Sequence, residues 1–198
     1  MPPDTLPAPS SAHSAASPAE FHLEEFRQLR TTIRERSTAR VVVSFITFVS
    51  WGALALVVRH SDESMAYGLV PLVVLVTGFE LVFSLHVGVE RIGRYLTVFY
   101  EASPGMPKWE TAIAAFGRTV VRGQTQPHVL LASEFIVTTG INLVLAVEFD
   151  RSVLAQDIAM AVFHVAFIGR VVRAVRQSSR QRETDAAALR AIAQDLGT

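Results

Sequence analysis

Polar and apolar positions fall in long blocks along this chain, and the blocks have helical length. Val41–Val58 is an uncharged run of eighteen residues between Arg40 and Arg59, enough by itself to cross a bilayer as a helix. Three further apolar blocks predict spans over about 65–89, 128–147 and 152–169, each interrupted by an acid or a histidine. Before the first run, Ser17-Pro18-Ala19-Glu20 has the form of a capping box with proline at the first helical position. Leu23, Phe26, Leu29 and Ile33 follow at steps of three and four, so 20–40 is predicted to be an amphipathic helix leading into the membrane. Trp109, Ile113, Phe116 and Val120 repeat that spacing, which predicts an interfacial helix over about 108–122 with the indole at headgroup depth.

The breaks are as legible as the blocks. Residues 1–19 are rich in Pro, Ala and Ser and lack an apolar run, the composition of a disordered tail rather than a signal peptide. RHSDES and Glu148–Arg151 form short polar turns between spans, while Ser103-Pro104-Gly105-Met106-Pro107 and GQTQP stop helices. Residues 170–198 continue as a helix-forming, arginine-rich tail. The fold class expected is therefore all-α: a polytopic membrane protein with a four-transmembrane-helix bundle and amphipathic helices outside it.

Composition sharpens this picture. Half the residues are hydrophobic and 18% are charged, with a mean hydropathy of +0.34; soluble domains carry nearer 25% charge. Net charge is zero, so nothing argues for a nucleic-acid partner. Cysteine is absent, which excludes disulfides, iron–sulfur ligation and thiolate zinc sites. Arginine crowds before span one, after span two, before span three and after span four, whereas the other two loops hold only Arg59 and Arg151. The positive-inside rule then places both termini in the cytoplasm, in a cell or inner membrane.

Ionisable groups inside the spans carry the candidate chemistry, because such groups are expensive there and tend to face the bundle interior. With Arg91, His128 and Arg170 taken as span ends, His86, Glu134 and His164 each fall about 7–9 Å in and Glu80 about 16 Å in. Glu90 lies one turn beyond His86. Two imidazoles and two or three carboxylates on facing helices could bind a divalent metal, with Fe, Mn or Zn suited to that donor set. His86 and His164 could alternatively be axial ligands of a haem, if spans two and four sit diagonally across the bundle. Competing readings keep each residue structural. Glu90 with Arg91 and Arg94 forms an interfacial charge cluster. Glu80 or Glu134 bonds Thr47, Ser44 or His164 as interhelical glue, and Asp157 bonds Asn142.

No phosphate loop, catalytic triad or HExxH motif occurs. Too little chain lies outside the spans for a separate catalytic domain. The function expected is that of a non-enzymatic accessory or scaffold subunit, with the lipid bilayer, further copies of the chain or another membrane protein as partners. The alternatives are a metal- or haem-binding protein and proton or ion transfer through an oligomer.

Overall fold

A computed structural model describes residues 18–59, 66–102, 105, 108–120, 127–146 and 154–196. They form α1 (Pro18–Arg59), α2 (Ala66–Phe99), α3 (Trp109–Val120), α4 (Pro127–Ala146) and α5 (Leu154–Asp195). The tail 1–17, the turn 60–65, GQTQP as far as 126 and the turn at 147–153 lie outside the described residues. All-α architecture is borne out, and α1, α2, α4 and α5 are each long and apolar enough to cross a membrane.

The amphipathic segment 20–40 and the first span are one helix of 42 residues, and the last span runs unbroken into the tail as another of 42. At 1.5 Å per residue each is about 63 Å long, twice the hydrocarbon thickness. Neither contains proline beyond its first position or a glycine pair, so nothing in the sequence stops them at the membrane boundary.

Contact registers give the topology. Arg40 meets His86 and Thr47 meets Gly78, so α1 and α2 are antiparallel. Gly68 meets Met160, Glu80 meets Arg170 and Arg94 meets Asp185, so α5 runs parallel to α2. Phe79 packs on Phe135 and the Gly68 carbonyl meets Asn142, so α4 opposes α2. The start of α1 and the ends of α2 and α5 therefore share one end of the bundle, the arginine-rich end. α2 packs against all four other helices, whereas α1 and α5 have no close backbone approach. The second and fourth spans are thus neighbours and not the diagonal pair expected of a square bundle.

A seam at steps of three and four holds the bundle. Met160, His164, Phe167, Val171, Ala174 and Ser178 are buried along α5, facing Leu72, Leu75, Phe79 and Val82 of α2 and Ala132, Phe135, Thr139 and Asn142 of α4. In lipid such contacts gain little from the hydrophobic effect, so close packing and polar bonds must hold the helices. α1 and α2 touch through Gly78, where an added Cβ would overlap the Thr47 side chain. Thr47 satisfies its own hydroxyl on the Val43 carbonyl at 2.7 Å. Outward, α1 exposes Val41, Val42, Phe45, Ile46 and Val49, a continuous apolar flank of the kind that marks a membrane surface.

Beyond the arginine-rich boundary, Glu101 organises the start of α3. One carboxylate oxygen accepts the Glu110 N–H at 2.6 Å; the other accepts the Thr111 N–H at 2.8 Å and the Thr111 hydroxyl at 2.7 Å. These are donors that a helix start leaves unmatched, and a carboxylate there also suits the helix dipole. Burial alone pushes the Glu101 carboxyl up, but the Thr111 hydroxyl, the two N–H groups and the Arg30 charge together hold it below the ordinary carboxylate range. Arg30 donates to Glu110 at 2.7 Å and lies over the Phe26 ring. Phe26 in turn packs on Tyr100, whose phenol is pushed up by burial and the nearby Glu25 carboxylate. α3 is held by its first turn, and Trp109, Ile113 and Phe116 remain exposed.

Candidate functional site

The polar groups within the spans separate into four places. The deepest is centred on Asn142, which is 2% exposed. Its side-chain oxygen accepts the Trp51 indole N–H at 3.1 Å, and its amide nitrogen meets the Gly68 carbonyl at 3.3 Å and His164 Nε2 at 2.9 Å. His164 Nδ1 lies 2.8 Å from the Met160 carbonyl. A carbonyl only accepts, so Nδ1 carries the proton and Nε2 accepts from the amide. All four spans meet at this one side chain, and every polar atom in the cluster has its partner. The Nε2 lone pair that a metal would need is already engaged.

A second cluster sits at the arginine-rich boundary. Arg40 Nη1 lies 3.0 Å from His86 Nδ1; arginine only donates, so Nδ1 is bare and Nε2 carries the proton. Nε2 faces Glu90 at 3.3 Å. Glu90 also pairs with Arg182 and, at 3.7 Å, with Arg94, which reaches Asp185 at 2.9 Å. Arg91 lies 3.8 Å from the same aspartate. The network ties α1 to α2 through the neutral His86 and α2 to α5 through charges that alternate in sign.

The third place is the Glu80–Arg170 pair at 2.7 Å, with both side chains a little over two-fifths exposed. The fourth is Glu134, exposed beside a shallow groove of about 560 Å³ lined with Phe48, Ser133, Val137 and Thr138. Among the described residues no hydrogen bond or ion pair reaches its carboxylate. Phe135 packs on both Phe79 and Phe48, so Glu134 lies level with Glu80, one to two turns inside the start of the uncharged run of α1.

Of the five sequence-derived candidates, the structure brings together only His86 and Glu90. Glu80, Glu134 and His164 each stand in separate surroundings, and no group of three His, Asp or Glu side chains arranged to hold a metal occurs among the described residues. Comparison with protein-family models, with curated proteins and with solved structures finds no match.

The register of α5 explains the difference. Arg170 does not share a level with Arg91: it pairs with Glu80, eleven residues earlier on α2. Every residue before it therefore lies deeper than expected, and His164 is level with Gly68 and Asn142, not with Glu134. The two histidines are separated by about 20–27 Å along the axis, which leaves no place where both could face one macrocycle. Asn142 bonds His164 where Asp157 was expected, and Asp157 sits in the first turn of α5, where the helix dipole favours an acid. The charge-cluster reading of Glu90 holds, enlarged by Arg182 and Asp185 from the tail. Trp51 was passed over, although an indole N–H in a span calls for an acceptor. Nothing in the sequence marks Arg182 or Asp185, since the helix-forming tail carries no sign of which helix it packs against.

Proposed function

We propose that this chain is a non-enzymatic accessory or scaffold subunit of a membrane assembly, with its arginine-rich end and both termini on the cytoplasmic side. The observation that carries the reading is Glu134. His86, Glu90, His164 and Glu80 each have a partner on the chain, as groups that lock a bundle do, whereas Glu134 opens sideways at span depth with hydroxyl-bearing Ser133 and Thr138 beside it. An acid facing hydrocarbon costs about 2.5–3.5 kcal/mol on insertion scales. A donor from a neighbouring span, an arginine, lysine or amide of a second copy or of another membrane protein, removes that cost. The groove between α1 and α4 has room for such a side chain.

The test is purification of the full chain in a mild detergent, with oligomeric mass and co-purifying membrane proteins measured for the wild type and Glu134→Leu. Loss of a stoichiometric partner or of self-assembly in the variant, with unchanged melting temperature, supports the reading. A wild type that is monomeric and alone, or an assembly indifferent to Glu134→Leu, overturns it. Elemental analysis and a visible spectrum of the same sample test the metal and haem alternatives directly.

A further inference from the structure

The arginines of the boundary divide by the direction they face. Four meet partners within the chain: Arg40 with His86, Arg170 with Glu80, Arg182 with Glu90 and Arg94 with Asp185. Arg173, Arg176 and Arg180 are exposed, and among the described residues no carboxylate comes within ion-pair distance of them. At 100° per residue they lie roughly opposite the buried line through His164, Phe167, Val171 and Ala174, so they point away from the bundle.

Their height is as specific as their direction. Arg170 shares a level with Glu80, inside the hydrocarbon. Arg173, Arg176 and Arg180 stand about 4.5, 9 and 15 Å further out along the axis, which places them across the boundary set by Arg40 and Val41. Directly beneath them on the same face lie Ile158, Val162 and Val165, each more than half exposed. Between the apolar stripe and the arginines is Gly169, where an added Cβ would meet nothing within 4 Å. The face thus reads, from mid-membrane outward, as an apolar track, an open notch and three unmatched cations at phosphate height.

We infer that the outward face of α5 binds one anionic phospholipid, with an acyl chain along Ile158, Val162 and Val165, the glycerol region at Gly169 and the phosphate held by Arg173, Arg176 and Arg180. The attraction is the one known for cationic side chains beside acidic lipid, worth about a fivefold change in affinity per residue. Three together give roughly a hundredfold preference over a zwitterionic lipid. Gly169 makes this a place and not merely a charged belt, because a side chain there would stand between the acyl track and the arginines.

Native mass spectrometry of the intact chain, with phosphatidylglycerol or phosphatidylcholine added to the detergent, tests it. One phosphatidylglycerol should remain bound under conditions that strip phosphatidylcholine. Arg173→Gln/Arg176→Gln/Arg180→Gln should abolish the difference, and Gly169→Leu should weaken it at least tenfold with the arginines intact. Arg34→Gln, an exposed arginine on α1, should leave it unchanged. All five positions are exposed, so melting temperature without added lipid should match the wild type. Equal retention of both lipids, a preference that survives the triple substitution, or one that Gly169→Leu leaves untouched overturns the inference.

Discussion

Replacing Asn142 with leucine removes the single side chain on which all four spans converge. Three interhelical bonds are lost, to Trp51, to the Gly68 carbonyl and to His164. At the ~0.6 kcal/mol average measured for such bonds in membranes, that is roughly 2 kcal/mol. A further part concerns the groups left behind. His164 is fully buried, and an orphaned buried group costs about 1–3 kcal/mol. The expected loss is about 3 kcal/mol, read as the free energy of unfolding by denaturant titration in bicelles. The double variant Asn142→Leu/His164→Leu removes acceptor and donor together, so it should cost less than the sum of the two single changes, by about 1 kcal/mol or more. An Asn142→Leu variant within about 0.5 kcal/mol of the wild type, or strictly additive single changes, would refute the reasoning that this cluster is a bonded hub.

Gly78→Ala should destabilise the α1–α2 contact by about 1–3 kcal/mol, even though alanine is the better helix former. Thr47→Ala in the same chain should restore part of the loss, because the overlap is with the threonine side chain. Glu101→Gln should raise hydrogen exchange across 109–120 by about five- to thirtyfold, since a charge-assisted acceptor of three donors at the helix start is replaced by a neutral amide. The wild-type carboxyl is depressed on folding, so its contribution is fully present above the ordinary glutamate pKa of about 4.3 and is lost as pH falls through the folded value. Exchange in Glu101→Gln should lack that acid-dependent rise. The exposed apolar edge of α3 should rest on the bilayer, so emission attributable to Trp109, taken as the difference between wild type and Trp109→Phe in nanodiscs, should be quenched by brominated lipid; no quenching would leave that edge free of the membrane.

The helices were legible because their length and periodicity are one-dimensional properties. Val41–Val58 announces a span by itself, and Leu23, Phe26, Leu29 and Ile33 announce a helix face. Which residues meet depends on register and on which helices are neighbours, and periodicity carries neither. Arg170 shows why: sequence alone sets it level with Arg91, yet it pairs with Glu80 of another helix, which moves His164 about two turns from the level of Glu134. Glu101 was equally silent, because its role depends on the chain folding back through Gly105, which has φ of +83°, to bring Glu110 and Thr111 to the carboxylate. The polar hub needed Asn142, Trp51 and His164 from three spans, and only their residue types, not their common level, could be read in advance.

The claim on which the rest depends is a four-span bundle with its arginine-rich end in the cytoplasm, and topology reporters test it most directly. Fusions after Gly123 and after Thr198 should both report a cytoplasmic location, and one inserted between Arg59 and Met65 should report an external one. A C-terminus found outside, or an internal Arg59–Met65 turn, would contradict the account.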